Sequence, residues 1–152
     1  MESFKYSFRS KKLDNLGLAV YNTGYQKCSS NHTWGPATRD HYLIHYVASG
    51  KGVFNTAGRT YDLTVGDMFL IYPGTIAFYA ADSVDPWEYY WVGFNGTDAK
   101  RLVGLCGFTR ENPILKLPQT DQVIPLLLNI YNGRGNTPDA EAEMTGYLYL
   151  FL

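Results

Sequence analysis

The sequence predicts a mainly β domain, a sandwich or barrel of short strands, followed by C-terminal α-helices. Between residues 16 and 95, short apolar runs alternate with turns rich in glycine and proline, at the regular spacing typical of such folds. After residue 96 the apolar residues recur at helical spacing and cap residues appear. The 152 residues, 45% of them hydrophobic, are enough for one domain with a substantial core.

The strand predictions follow from the apolar runs and the turns between them. Residues 31–40 contain Gly35-Pro36 and are predicted to form a loop. The N-terminal segment through Arg9 is compatible with an edge strand. The predicted strands are 16–25, 41–47, 53–56, 60–63, 68–72, 76–81 and 87–94.

Three helices are predicted after the strands. The first begins near Thr97-Asp98 and ends at Gly107, and the second covers about 121–131. Pro125 is compatible with the second helix only near its first turn, because proline lacks the backbone donor needed further in.

The third helix has the clearest start. Thr137 is a suitable N-cap and Pro138 suits the first helical position. Apolar residues at helical spacing predict a packing stripe on each of the last two helices, and one of these stripes could form a dimer surface instead of covering the barrel. No stop signal follows Tyr147, so we expect the chain to continue beyond Leu152. The stripes are Ile124, Leu127, Leu128 and Tyr131 on the second helix, and Met144, Tyr147, Leu148 and Phe151 on the third.

Composition narrows the functional classes. The net charge is −1 and the basic residues are scattered, which disfavours nucleic-acid binding by this segment. Two cysteines, Cys28 and Cys106, without metal-type spacing are typical of free thiols in a reducing compartment. Neither a signal peptide nor an apolar run of membrane-spanning length is present, so we expect no membrane association and a cytoplasmic location.

Residues 86–96 form an aromatic strand, PWEYYWVGFNG. Strand side chains alternate between faces, and rings with polar tips suit either a pocket for a hydroxyl-rich ligand or a tyrosine-rich core. One predicted face carries Trp87, Tyr89 and Trp91, and the other carries Glu88, Tyr90 and Val92.

Three segments resemble the cupin-like regulatory domain of AraC-type transcription factors. They are 39–52 (RDHYLIHYVASGKG), 66–74 (GDMFLIYPG) and 86–96, and the resemblance extends over roughly residues 30–152. It implies a cupin-like jelly-roll barrel that binds a small-molecule effector, often a sugar. On this basis residues 1–96 would form the barrel with an N-terminal arm, and residues 97–152 a helical dimerisation segment with an antiparallel helical pair. DNA would be bound through a separate domain that is absent from this chain.

The resemblance to cupins also raises a metalloenzyme alternative. The positions at which metal cupins place a glutamate and a histidine match Leu43 and Ala77. His41 and His45 share a strand face but lie ~13 Å apart in an extended strand. Two ligands of one zinc ion, each ~2.0–2.1 Å from it, would not span that distance. We therefore predict no metal, no other cofactor and no catalytic residue. A cupin-fold enzyme acting on a small sugar-like substrate is the second hypothesis, and a free-standing carbohydrate-binding module the third.

The candidate ligand-binding residues fall into two groups. Matched onto the arabinose-responsive member of the family, Tyr79, Tyr89 and Trp91 occupy positions that contact the effector. Trp91 would stack on a sugar ring, and the two tyrosines would hydrogen-bond its hydroxyls. The alternative for all three is barrel core.

The second group surrounds the first. His41 and His45 would point inward from the adjoining strand, or be satisfied core residues. Arg39 at the rim would clamp ligand hydroxyls, or form a surface salt bridge. Trp34 in the predicted loop would be a lid, or an exposed aromatic residue without a role.

Overall fold

A computed structural model describes residues 3–9, 17–116 and 122–152. Ten strands form two antiparallel sheets, one of six strands in the order β1-β2-β9-β4-β7-β10 and one of four in the order β3-β8-β5-β6. The predicted fold class, a cupin-like jelly-roll barrel followed by helices, is confirmed. The strands are β1 (Phe4–Arg9), β2 (Ala19–Lys27), β3 (Thr33–Ala37), β4 (Tyr42–Ser49), β5 (Lys51–Thr56), β6 (Arg59–Thr64), β7 (Asp67–Ile71), β8 (Ala77–Ala81), β9 (Glu88–Asn95) and β10 (Ile114–Lys116).

Alternation along the strands divides the core into two clusters. The inner cluster lies between the sheets and the outer cluster lies on the other face of the six-stranded sheet. Tyr89 and Trp91 of β9 belong to the inner cluster, whereas Val92 and Phe94 belong to the outer one. The predicted division of the aromatic strand is confirmed.

Helices cover the outer cluster. They are α1 (Ala99–Cys106), α2 (Val123–Asn132) and α3 (Pro138–Phe151). The start of α2 and the end of α3 line one apolar groove, so these two helices are antiparallel. Helix α2 begins at Val123, two positions after the predicted start at residue 121, which lies outside the described residues.

Helix caps follow the sequence signals. The Thr137 side chain accepts a hydrogen bond from the backbone N–H of Ala140 at 3.3 Å, and Pro138 opens α3. Gly107 closes α1 in the left-handed conformation, with φ of 106°. The caps predicted at Thr137 and Gly107 are confirmed.

The packing stripe of α2 differs from the predicted one. Val123, Leu127 and Ile130 are its buried residues, whereas Ile124 and Leu128 are half-buried. Most residues of α2 are apolar. The pattern of apolar residues therefore does not indicate which side of this helix faces the sheet. On α3, Met144 and Leu148 are buried as predicted.

Two strands were missed. The predicted loop 31–40 contains β3, which pairs with β8, and β10 pairs with β7 after the first helix. Both are short edge strands whose backbone partners come from distant parts of the chain, so no local pattern marks them. The N-terminal segment is an edge strand, since β1 pairs with β2 with Tyr6 opposite Tyr25.

Candidate ligand-binding site

A cavity of about 560 Å³ lies at the inner face of the six-stranded sheet. This volume falls in the range of small-molecule sites. Of the seven predicted site residues, six line it: Trp34, Arg39, His45, Tyr79, Tyr89 and Trp91. Eight further described residues complete the wall: Lys5, Ser7, Phe8, Arg9, Asn22, Gln26, His32 and Leu43.

Two tyrosines and an arginine lie together in the wall of the cavity. Arg39 Nη2 donates a hydrogen bond to the hydroxyl of Tyr79 at 3.4 Å, and the Tyr79 and Tyr89 rings meet edge to face with centroids 6.1 Å apart. Cys28 is buried in the same inner cluster. Burial raises the pKa of both tyrosines, and raises the pKa of Cys28 to about 11. These groups are therefore protonated at neutral pH and act as neutral donors and acceptors.

Trp34 is part of the wall. The structure places it in β3, opposite Tyr79 of β8, instead of in a loop. Its ring stacks on that of Tyr79 with centroids 5.4 Å apart, and the Arg39 guanidinium carbon lies 4.1 Å from its centroid. The expected lid is therefore a strand residue held between a tyrosine and an arginine. Its strand pairing could not be inferred from the Gly-Pro turn signal.

His45 is a buried residue of the wall. Its ring stacks on Phe69 with centroids 4.6 Å apart and contacts the edges of the Tyr79 and Tyr89 rings. Burial, and then the positive charge of Arg39, hold the pKa of His45 well below its usual value. The imidazole is therefore neutral at pH 7, with one nitrogen able to donate and the other to accept.

His41 lies apart from the other six predicted residues. It lines an adjoining cavity, where its Nδ1 is 2.9 Å from Asp40 Oδ1 and its ring packs on Tyr21. Arg9 and Arg39 line both cavities, so the two spaces meet at these side chains. Burial lowers the pKa of His41, against the opposing effect of Asp40.

Glycines make room for the large side chains. A Cβ on Gly24 of β2 would clash with the backbone oxygen of Tyr6 in β1 and would lie 2.6 Å from Cζ2 of Trp91, so this glycine leaves room for both the neighbouring strand and the indole. A Cβ on Gly93 would lie 2.8 Å from Cδ2 of His41 and would clash with Asn22. Side chains at these two positions would displace Trp91, His41 or Asn22.

Four buried polar atoms of the two cavities have no hydrogen-bond partner among the described residues. They are Asn22 Oδ1, Arg39 Nε, His41 Nε2 and His45 Nδ1. An unsatisfied buried polar group costs roughly 1–3 kcal/mol, so such groups are usually paired with water or a ligand. One amide oxygen, two imidazole nitrogens and one guanidinium nitrogen suit a ligand rich in hydroxyls.

Sequence reasoning missed Asn22 because of a β-bulge. Val20 pairs with Phe94 and Asn22 with Gly93, so Tyr21 is an extra residue in β2. Simple alternation would place Val20 and Asn22 on one face, whereas Val20 is in the outer cluster and Asn22 lines the cavity. Beyond the bulge, Gln26 follows Asn22 at an even spacing, which is a signal that the strand prediction did not use.

The described residues hold no group of three histidine, cysteine or acidic side chains placed to bind a metal ion. Leu43 lines the cavity and Ala77 is buried in the inner cluster, so the two positions compared with metal cupins carry apolar side chains.

The chain belongs to the family of AraC-like ligand-binding domains, whose model matches residues 20–152. Over 145 residues it is 30% identical to the lactose operon transcription activator of Staphylococcus xylosus, covering 93% of this chain and 50% of that protein. It is also 38% identical over 91 residues to the Msm operon regulatory protein of Streptococcus mutans serotype c, covering 60% of this chain and 33% of that protein. The chain thus spans a third to a half of the length of these relatives.

Among solved structures, YhaK from Escherichia coli superposes with a TM-score of 0.58 at 13% identity, over 79% of this chain and 53% of that one. This likeness concerns the fold. None of the helices in the described part of the chain has the length and apolar character needed to cross a membrane.

Proposed function

We propose that this chain is the effector-sensing domain of an AraC-type transcription regulator and binds a sugar or glycoside in the cavity between its sheets. The observation that carries the proposal is one cavity whose wall combines Trp91 with buried polar atoms lacking partners among the described residues. Aromatic faces bind the apolar C–H face of a sugar, and fixed polar groups select its hydroxyls. The lactose operon transcription activator among its relatives supports a sugar as the effector.

In this proposal Trp91 stacks on the sugar, while Arg39, Tyr79 and Tyr89 hydrogen-bond its hydroxyls. His45, held neutral by burial, adds one donor and one acceptor. His41 reaches a ligand only if the ligand extends into the adjoining cavity. The alternative of a cupin enzyme gains no support, because Leu43 and Ala77 offer no metal ligand.

Binding would be coupled to regulation through β1. This strand contributes Lys5 and Arg9 to the cavity wall and pairs only at the edge of the six-stranded sheet. A ligand that binds the paired state of β1 better than the unpaired state shifts the population toward it. The DNA-binding segment of a complete cytoplasmic regulator would respond to that shift.

We further propose that the chain forms a homodimer through its C-terminal helices. Leu105 of α1 and Tyr149 and Leu150 of α3 are large exposed apolar residues. Leu150 also lines an apolar groove of about 430 Å³ between α1, α2 and the end of α3. Sedimentation at a series of protein concentrations measures this association, and a monomer at every concentration would contradict it.

The binding proposal is tested by titrating the chain with galactose, lactose and raffinose while recording tryptophan fluorescence. We expect saturable binding, and a loss of about tenfold or more in affinity for Trp91→Ala. Arg39→Met is the companion variant, because it removes a buried unpartnered donor and should leave folding intact. Unchanged affinity in both variants would refute the assignment of the site, and a stoichiometric metal in the purified protein would favour the enzyme alternative.

A further inference from the structure

The wall of the cavity has a strong charge imbalance. Lys5, Arg9 and Arg39 line it, and no aspartate or glutamate is found among its described lining residues. The whole chain has a net charge of −1, so this local excess of positive charge is not a property of the protein in general.

Two of the cations are placed by aromatic rings on the wall. Lys5 Nζ lies 5.8 Å from the centroid of Trp91, and Arg39 lies over Trp34 at 4.1 Å. Arg39 Nε is buried without a partner, so one donor of a permanently charged group remains unused. Lys5 therefore lies beside Trp91, the ring that is proposed to stack on a sugar, and Arg39 lies beside Trp34 in the same wall.

One carboxylate lies nearby. Asp40 lines the adjoining cavity, where it is bonded to His41 and its side chain is 82% exposed. The hydrogen bond with His41 is the main cause that lowers the pKa of Asp40, and the charge of Arg9 adds a small contribution, so this carboxylate offsets part of the Arg9 charge. Asp40 does not line the cavity that contains Lys5, and Arg39 Nε has no hydrogen-bond partner among the described residues.

We infer that the effector carries an anionic group, a carboxylate or a phosphate attached to a sugar, which binds among Lys5, Arg9 and Arg39. This inference rests on the proposed sugar site. A neutral sugar would leave Lys5 and Arg39 without a counter-charge in the cavity and Arg9 only partly offset by Asp40, whereas an anion forms charge-assisted hydrogen bonds with all three. Arginine is suited to this role because its planar donors match carboxylate and phosphate oxygens. Since Lys5 and Arg9 belong to β1, the anion would also hold this strand on the sheet.

The inference is tested by calorimetric titration of the 152-residue chain with three matched hexoses: galactose, galacturonate and galactose 6-phosphate. We expect one of the two anionic sugars to bind about tenfold or more tightly than galactose at 50 mM NaCl, and the preference to weaken at 500 mM. The tighter of the two identifies carboxylate or phosphate as the recognised group. Glucose, glucuronate and glucose 6-phosphate repeat the comparison with the other epimer.

Charge-neutral variants locate the effect. Arg9→Gln and Lys5→Gln should each lower affinity for the anionic sugar severalfold while changing galactose affinity little. Lys100→Gln is the matched control, because Lys100 is an exposed cation on α1, away from the cavity. An equal effect of Arg9→Gln and Lys100→Gln would overturn the inference.

The outcomes separate this inference from the proposed function. Tighter binding of a neutral sugar than of its acid and its phosphate would overturn the anionic effector and leave the sugar site standing. Absence of binding by all six compounds would count against both proposals.

Discussion

Aromatic side chains on the outer face of the six-stranded sheet are covered by helices, whereas several on the inner face line a cavity. On the outer face, Tyr25 stacks on Tyr90 at 5.2 Å and meets the edge of Tyr131 at 5.5 Å, which joins β2, β9 and α2. Every buried polar side-chain atom that lacks a partner among the described residues lies instead on the inner side. The outer face thus contributes to the stability of the fold, whereas the inner face carries the polar groups that the proposed ligand would contact.

The largest expected effect comes from the outer face. Ile130 is fully buried between α2 and the sheet, so Ile130→Ala should lower the free energy of unfolding by about 2–5 kcal/mol. Urea denaturation measures this loss. Sugar affinity of the folded variant should stay within about twofold of the parent protein. A loss of affinity that exceeds the loss of stability would mean that the two faces are not separate.

The next effect is a pH dependence that arises on the inner side. The pKa of His45 and that of His41 are lowered by burial, so the unfolded chain takes up protons that the folded chain does not. Above pH 6.5, which is about the pKa of histidine in the unfolded chain, these residues do not reduce the free energy of unfolding. Below that pH, the free energy of unfolding falls by about 1.4 kcal/mol per pH unit for each of the two histidines, until the pH reaches the pKa of that histidine in the folded chain.

His45→Phe isolates one of these contributions. Phenylalanine can keep the stack on Phe69 and does not titrate. The slope of the free energy of unfolding against pH, between pH 6.5 and 5, should therefore decrease by the amount that corresponds to one proton. Denaturation curves at four or five pH values give the slope. Asp40, whose pKa is lowered, affects stability only at more acidic pH. An unchanged slope would show that His45 has the same pKa in the folded and the unfolded chain, which would contradict its lowered pKa.

The smallest effect compares two neighbouring residues on opposite faces. Tyr89→Phe removes a hydroxyl from the wall of the cavity, and should weaken sugar binding about five- to tenfold. Tyr90→Phe makes the same chemical change one residue later, on the outer face, and should leave affinity unchanged. Fluorescence titration compares them, and equal affinities would contradict the assignment of the inner face to ligand binding.

Much of the fold could be predicted locally. Some features depend only on neighbours in sequence and could therefore be predicted. They are the spacing of the turns, the alternation along β9, and the helix caps at Thr137 and Gly107. The strands β3 and β10 depend on edge pairing with β8 and β7, and local pattern did not mark them. The α2 stripe was ambiguous for a related reason, since an almost wholly apolar helix shows no preferred side.

The site divides in the same way. The sequence by itself determined which residues of β4, β8 and β9 share the inner face, because strand periodicity is a property of the backbone. Only the tertiary structure placed Asn22 in the wall, since the bulge at Tyr21 reverses the alternation of β2. Only tertiary pairing placed Trp34 against Tyr79, and Lys5 and Arg9 in the wall with Arg39, because cross-strand contacts depend on register between distant segments.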